Sequence, residues 1–482
     1  MNATGQGRPS SSFATHVPTP APPLPDSLVL EALARQIRPE QIEAALQGTQ
    51  GRRRKRRVRR VPPMAVIWLV IAIGLFGDQD MPSLWRQVVG TLASLWRAFA
   101  GIKPPCKSAL SQARARVGPR PLRRLFRATA APSAKTRGAT YKTMPLKAMD
   151  GDDYTLPDTP ANARAFGRPT TSRNGQIVAG RWPQVHVTRL IEVGTRITLE
   201  ALVKPYGTND HPCAPALLAC CAAGDLALWD CGFYSYRLIE RSVRQGTFML
   251  GPVPSHVVLP PIGPRLADGS YLAKIYPDGD HRKRDEGGVT VRVIEYTFDD
   301  PNRLGHGERH RLVTTLLDAQ AYPALELIVL YHQRWEIEIA NDEITTHQIA
   351  RPAAPTELRS RTPAGVVQEI YGVLLAHNAV RGLMAEAAMI SDIDPRTLSF
   401  MHAVRVIRQS IPVMRSARTE LLPLIYQGML REIAQGVLPP RDGRINPRVV
   451  KSTSSSFPKK RQEHYRPPQP TKPFAESIVM LN

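Results

Sequence analysis

The stretch YHQRWEIEIANDEITTH, residues 331–347, places polar and aromatic side chains at helical spacing. Arg334 follows Tyr331 by three residues. Glu338 comes four residues after Arg334, and Thr345 comes seven residues after Glu338. At about 3.6 residues per turn, these offsets predict one helix face that carries all four side chains. Such a face suits a phosphate and, through its carboxylate, a metal ion, whereas the simpler alternative is a solvated helix with one ion pair.

The composition indicates an anionic partner. The net charge is +23 and the pI is about 10.2, which favours nucleic acid first and an anionic membrane second. The chain has 482 residues with 42% hydrophobic content, enough for about two or three domains. Its 5 cysteines follow neither a disulfide framework nor a zinc spacing, so a reducing cytoplasm is the expected compartment.

The chain begins with a segment that is unsuited to packing. Residues 1–25 are rich in proline and serine and are expected to form a disordered arm. Residues 26–130 have helical periodicity and are predicted to form a small helical DNA-binding domain. Within it, the basic run at 52–60 is suited to phosphates or simply to solvent. The apolar run at 64–77 is too short for a span of about 20 residues, so we expect a buried core helix and no membrane partner.

A helix, turn, helix pattern ends this region. The turn is Gly118-Pro119, and arginines lie on both sides of it, at Arg114, Arg116, Arg120, Arg123 and Arg124. A DNA-reading helix-turn-helix is one interpretation, and a helical hairpin with a basic outer face is the other.

Two short apolar runs further along each end in an aspartate. These are Asp150, after PLKAM, and Asp230, after DLALW. Residues 184–205 between them alternate as a strand, a turn and a second strand, which predicts a mixed α/β sheet with carboxylates at strand ends. Taken singly, Asp150 is also suited to shaping a turn and Asp230 to capping a helix.

Asp150, Asp230 and Glu338 together place three carboxylates on three elements. Two Mg²⁺ ions about 3.5–4 Å apart need such a set, and Mn²⁺ is expected to substitute for Mg²⁺. The chemistry that follows is attack on a phosphodiester without a covalent protein nucleophile. The sequence has neither a phosphate-cradling GxxxxGK[ST] loop nor a GxSxG elbow, which disfavours NTP hydrolysis and serine hydrolase chemistry.

Three stretches resemble the DDE transposases of bacterial insertion sequences, in the group with the signature Y-x-x-R-x-x-x-E-x-x-x-x-x-x-K. They are AMDGDDYTLPDTPANARAFG around Asp150, LALWDCGFYS around Asp230 and LYHQRWEIEIANDEITTHQ around Glu338. The three stretches occur in the family's order, and the resemblance extends from about residue 26 to about residue 435.

The resemblance implies an α/β fold: a ribonuclease-H-like mixed sheet with a β-rich insertion at 247–318, inside a catalytic domain at 141–353. It implies that Asp150, Asp230 and Glu338 are catalytic metal ligands and that Tyr331 and Arg334 contact DNA phosphates. The implied activity is cutting double-stranded DNA at inverted repeats and joining the 3′ ends to target DNA. Members of the family work as homodimers in a synaptic complex, here in the bacterial cytoplasm at the nucleoid.

One position departs from the family signature. Thr345 stands where the signature has lysine, and a threonine hydroxyl offers DNA a hydrogen bond without a charge. Two other interpretations of the chain therefore stay open: a catalytically inactive DNA-binding relative, and a metal-dependent nuclease without strand transfer.

The rest of the chain carries weaker signals. In relatives, the insertion can carry a tryptophan that stacks on a flipped base. Here the residues considered for that role are Tyr271, Tyr296 and Phe298. Residues 354–437 are predicted to form C-terminal helices, which pack on the sheet or form a dimer contact. Residues 438–482 are basic and rich in proline and serine, and are expected to form a disordered tail.

Overall fold

The computed structural model describes residues 36–47, 61–95, 105–131, 136–173, 176–349, 358–439, 461 and 469–481. The expected arm at 1–25 and the basic run at 52–60 lie outside these residues. The strands are β1 (Thr140–Tyr141), β2 (Met144–Thr155), β3 (Thr170–Arg173), β4 (Gln176–Ala179), β5 (Gln184–Glu192), β6 (Thr198–Pro205), β7 (Leu226–Leu228), β8 (Phe248–Pro252), β9 (Tyr271–Ile275), β10 (Val289–Phe298), β11 (His310–Thr314) and β12 (Ile478–Met480). The helices are α1 (Pro39–Leu46), α2 (Pro63–Leu75), α3 (Met81–Leu95), α4 (Lys107–Val117), α5 (Arg120–Thr129), α6 (Pro160–Phe166), α7 (Ala214–Leu218), α8 (Tyr236–Gln245), α9 (Gly279–Arg284), α10 (Ala324–His332), α11 (Trp335–Asp342), α12 (Pro363–Ile390), α13 (Phe400–Ser416) and α14 (Leu422–Gln435).

The main sheet has a ribonuclease-H-like centre. Its strand order is β6-β5-β2-β7-β8-β11-β10, with β9 and β12 on β10. The first five strands thus lie in the spatial order third, second, first, fourth, fifth. β2, β7 and β8 are parallel, whereas β5 is antiparallel to both of its neighbours. The fold class expected from the resemblance is confirmed.

The insertion extends this sheet. Strands β9, β10 and β11 form an antiparallel ladder beyond β8. The predicted start of the insertion is wrong, because residues 248–252 form β8, the fifth strand of the central sheet. A period of two alone could not separate that core strand from the strands that follow it.

The expectation of a disordered tail at 438–482 is wrong for residues 469–481. Strand β12 pairs antiparallel with β10, and its register places Ile478 opposite Phe298. Phe474, Ile478 and Met480 pack against the hydrophobic cluster of the sheet. The composition of the tail, averaged over many Pro, Ser and Lys residues, concealed these few apolar ones.

The N-terminal and C-terminal helices share one hydrophobic core. Residues of α1 to α5 belong to the same buried cluster as residues of α12, α13 and α14. Helix α2 packs along α12, and small residues permit the close approach, since a Cβ on Gly74 would lie 2.7 Å from the Ala376 Cβ. The prediction of a buried core helix is confirmed for α2, whose residues from Ala65 to Leu75 are all buried. Helix α12 therefore packs mainly on the N-terminal helices, whereas α13 and α14 pack on α12 and on each other.

One helix within the described residues is long and apolar enough to cross a membrane. It is α12, and 78% of its most apolar window is buried inside the protein.

The signature segment is not one continuous helix. Helix α10 ends at His332, and α11 begins at Trp335 after a short turn. A π-helical segment, Glu343–Ile349, then follows. The prediction of one helix face over residues 331–347 is therefore wrong for Thr345, although Tyr331, Arg334 and Glu338 still lie together. Periodicity alone does not show where such a helix breaks or changes to a π-helical turn.

Candidate active site

Asp150 and Asp230 come together because two parallel strands run in register. Each aspartate lies two residues beyond the last pair of the β2–β7 ladder, so the two are level with each other. Gly151 N–H donates to Asp150 at 2.9 Å, and Cys231 N–H donates to Asp230 at 2.7 Å. Asp230 thereby also caps the short 3₁₀ helix Cys231–Phe233. Structural and functional roles are therefore compatible at these two positions.

The guanidinium of Arg334 lies among the three carboxylates. Its Nη2 donates to Glu338 Oε1 at 2.9 Å, and its Nη1 lies 3.7 Å from Asp150 Oδ2. Asp230 acts electrostatically on both Arg334 and Asp150. Arg334 is only 5% exposed, and its Nη1 has no hydrogen-bond partner among the described residues. The three acidic residues from the sequence analysis therefore converge on one buried cation.

The charges in this cluster act strongly on one another. Burial raises the pKa of the Asp150 carboxyl to about 7, and although Arg334 opposes the rise, Glu338 and Asp230 reinforce it. Burial would lower the pKa of the Arg334 guanidinium, but the surrounding groups raise it above its usual value. A cation therefore stabilises the ionised carboxylates here.

The cluster has the donor chemistry of a divalent cation site. Carboxylate oxygens are the ligands that Mg²⁺ and Mn²⁺ take in proteins. Within the part of the chain that the structure describes, however, no three Asp, Glu, His or Cys side chains are spaced as the ligands of one ion. The positive charge among the carboxylates is that of Arg334.

The two remaining residues predicted to bind DNA are placed differently. The side-chain hydroxyl of Tyr331 lies near Arg334, and burial raises the pKa of this hydroxyl above its usual value. Thr345 lies in the π-helical segment, where its hydroxyl donates to the Asn341 carbonyl at 2.9 Å. Tyr331 thus joins the cluster, whereas the hydroxyl of Thr345 bonds to its own helical segment.

A buried charge network anchors the signature segment, and sequence reasoning missed it. Glu343 accepts hydrogen bonds from Arg381 Nε at 2.8 Å and from Arg196 Nη1 at 3.0 Å, and His377 Nε2 lies 3.0 Å from it. Burial would raise the pKa of Glu343, but the guanidinium groups hold it well below its usual range. Arg196 also donates to Glu336. The four-residue spacing of His377 and Arg381 on a largely apolar helix was the available signal.

Several residues considered for DNA contact are buried. Tyr271, Tyr296 and Phe298 are 4%, 6% and 9% exposed and belong to hydrophobic clusters, so the suggestion that one of them stacks on a base is wrong. Arg114 points inward and donates to Gln368 Oε1 at 3.2 Å. The other arginines beside the turn are exposed, namely Arg116, Arg120, Arg123 and Arg124.

A ribonuclease-H-like sheet with one acidic residue on its first strand, a second just after its fourth strand and a third on a following helix defines a class of nucleic-acid phosphoryl-transfer proteins. Comparisons with known proteins specify the family. A model described as "Insertion element 4 transposase N-terminal" matches residues 27–127, and one described as "Transposase DDE domain" matches residues 141–379. "Transposase InsG for insertion sequence element IS4" of Escherichia coli (strain K12) is 29% identical over 445 residues, covering 89% of this chain and 93% of the relative.

Among solved structures, a piggyBac transposase in a synaptic complex with hairpin DNA resembles the chain with a TM-score of 0.40 and 12% identity, covering 88% of each chain. From the two family models and the IS4 relative, the chain belongs to the DDE transposases of insertion sequences and is a DNA transposase. This family acts on DNA and uses divalent metal ions.

Proposed function

We propose that this transposase cuts DNA at the inverted repeats of an insertion sequence and joins the freed 3′ ends to target DNA. The convergence of Asp150, Asp230 and Glu338 around Arg334 carries the proposal. These carboxylates would hold two Mg²⁺ ions, with Mn²⁺ as a substitute. Ions bound there would lower the pKa of the attacking water or 3′-hydroxyl and neutralise charge at the cleaved phosphodiester.

The residues around the carboxylates would bind and orient DNA. Arg334 leaves its carboxylate partners and pairs with a phosphate beside the cleaved bond. Its planar guanidinium can donate two parallel hydrogen bonds to one phosphate group. Tyr331 donates its hydroxyl hydrogen to a neighbouring phosphate, because a tyrosine hydroxyl is protonated at neutral pH. Burial, which raises its pKa, favours the same protonated form. Thr345 lies further along the same segment, where its hydroxyl would exchange the Asn341 carbonyl for a phosphate oxygen. We further propose a homodimer in a synaptic complex, acting in the bacterial cytoplasm at the nucleoid.

The test is a cleavage and joining assay on a duplex made from the inverted repeats that flank the coding region. We expect Asp150→Asn, Asp230→Asn and Glu338→Gln each to lower metal-dependent cleavage by about 10³-fold or more, since several kcal/mol of charge stabilisation are lost. Asp342→Asn is the matched control, because Asp342 is an exposed carboxylate on the same helix as Glu338.

The assay also separates the alternatives. Binding of the repeats without metal-dependent cleavage by the unaltered protein indicates an inactive DNA-binding relative. Cleaved ends that never appear in joined products indicate a nuclease without strand transfer. Unchanged cleavage by Asp230→Asn contradicts the assignment of the carboxylates.

A further inference from the structure

Residues 471–481 form a clasp that contacts both the insertion and the signature segment. At its end, β12 pairs with β10, Leu481 N–H donates to the Glu295 carbonyl at 2.9 Å, and Asp299 N–H donates to the Ser477 carbonyl at 2.7 Å. Ser477 is fully buried. The clasp therefore completes the sheet edge beyond the insertion with regular backbone hydrogen bonds.

A buried carboxylate holds the start of the clasp. Asp300 is fully buried and accepts hydrogen bonds from Thr471 N at 2.9 Å, Thr471 Oγ1 at 3.0 Å and Lys472 N at 3.2 Å. Arg303 Nη2 donates to the Lys472 carbonyl at 2.8 Å. A buried carboxylate with several backbone donors makes a specific contact, because it is costly to leave unpaired.

Phe474 connects the clasp to the signature segment. Its ring stacks on His332 with centroids 4.3 Å apart and packs on Phe298 at 5.7 Å, and the Arg303 guanidinium lies 5.3 Å from its centroid. His332 is the last residue of α10 and directly follows Tyr331. Phe474 and Tyr331 also pack against the same hydrophobic cluster. The ring of the clasp thus fixes the point where the chain turns from α10 towards Arg334.

We propose that the clasp is a positioning element of the transposase. It holds the end of α10 against the insertion and so keeps Tyr331 and Arg334 at the carboxylates. This inference rests on the proposed function for its effect on cleavage, but its effect on α10 is independent of that function. The clasp acts through His332 and the shared cluster.

The first experiment compares Phe474→Ala with the unaltered protein by hydrogen–deuterium exchange. We expect amide exchange in the last turn of α10 to rise about two- to tenfold, because a ring pair that holds this turn is lost. Phe474→Tyr keeps the ring and should restore slow exchange. Val479→Thr is the matched control, because Val479 is an exposed residue of β12 and its backbone pairing is retained.

The second experiment uses a variant that ends at Pro468, with and without a peptide of residues 469–481. We expect kcat for cleavage of the inverted-repeat duplex to fall about tenfold or more, with a smaller change in KM, because misplaced catalytic groups cost rate. Added peptide should restore both kcat and slow exchange in α10.

Two results would overturn the inference. One is unchanged exchange in α10 for both Phe474→Ala and the shortened variant. The other is faster exchange throughout the protein with a lower Tm and no recovery with peptide, which indicates an edge strand that contributes only general stability. If the unaltered protein binds DNA but does not cleave it, the proposed function fails, while the exchange experiment still decides whether the clasp holds α10.

Discussion

At the scale of single residues, Thr345 marks where this transposase departs from the signature it otherwise matches. Its hydroxyl bonds to the Asn341 carbonyl, and it adds no charge beside the candidate active site. Arg334 already has Asp150 and Glu338 as partners. A cation at position 345 would therefore be available to DNA.

We predict that Thr345→Lys strengthens binding of the inverted-repeat DNA. One added phosphate contact should make the slope of log affinity against log salt steeper by about 1. Thr346→Lys, at the exposed neighbouring position, is the control for charge alone. Binding isotherms at several salt concentrations measure both variants, and equal slopes for the two would show that position 345 has no particular access to DNA.

His377 is a buried residue, and its protonation should affect how the stability of the fold depends on pH. Burial lowers its pKa from 6.5 to about 4, although its contact with Glu343 opposes the shift. The unfolded chain therefore takes up the proton first as the pH falls. The stability contributed by neutral His377 is complete above about pH 6.5 and is lost as the pH falls towards 4.

We predict that His377→Gln removes part of this acid sensitivity. Glutamine keeps a donor for Glu343 but cannot take up a proton. The unaltered protein should lose on the order of 1–3 kcal/mol more than the variant between pH 7 and pH 4.5. Denaturant unfolding at these two pH values measures the difference. Parallel stability curves would assign the acid sensitivity to other groups.

At the scale of elements, the crossing of α2 and α12 depends on small residues. A Cβ on Gly372 would lie 2.5 Å from Val70 Cγ1 and 2.7 Å from the Val70 carbonyl oxygen. Backbone and a branched side chain cannot both move aside in a packed core. Helix α14 offers the opposite case at Gly428, where an added Cβ meets no atom within 4 Å.

We therefore predict that glycine-to-alanine substitution changes the free energy of unfolding in opposite directions at Gly372 and Gly428. Gly372→Ala should lower the free energy of unfolding by about 1–3 kcal/mol through overpacking. Gly428→Ala should raise it by about 0.5–1 kcal/mol, because alanine is the better residue in an open helix position. Thermal or urea unfolding of both variants measures these changes in the free energy of unfolding. Destabilisation by Gly428→Ala would contradict the helix packing described here.

At the scale of the whole molecule, the helical parts at the two ends of the catalytic domain form one unit. Their buried residues belong to a single cluster that also includes Tyr154 of β2 and Ile344 of the π-helical segment. The N-terminal helices thus pack against the π-helical segment, which directly follows the helix that carries Glu338. The expectation of a small helical DNA-binding domain at 26–130 stays a prediction, and the helices of this region share their core with α12, α13 and α14.

We predict that residues 26–130 do not fold when produced alone. Removing α12 exposes the apolar surface of α2, which has no polar face of its own, because its residues from Ala65 to Leu75 are all buried. Circular dichroism should show no cooperative thermal transition for the fragment, and co-production with residues 358–439 should restore one. A cooperative transition of the isolated fragment would establish an independent domain.

The sequence by itself predicted the acidic residues of the candidate site and their order, and through the family resemblance it determined the class of sheet that carries them. Short apolar runs ending in Asp150 and Asp230, and the spacing of Tyr331, Arg334 and Glu338, are local patterns, and local patterns are what a sequence displays directly.

Only the tertiary structure decided how these parts are held. The charge network of Glu343, the closeness of Gly74 to Ala376 and the stacking of Phe474 on His332 join positions far apart in the chain. Hydrophobic burial is non-directional, so an apolar segment does not specify its partner until the whole chain is packed. For this reason the break in the signature helix, the shared helical core and the clasp could not be derived from periodicity or composition.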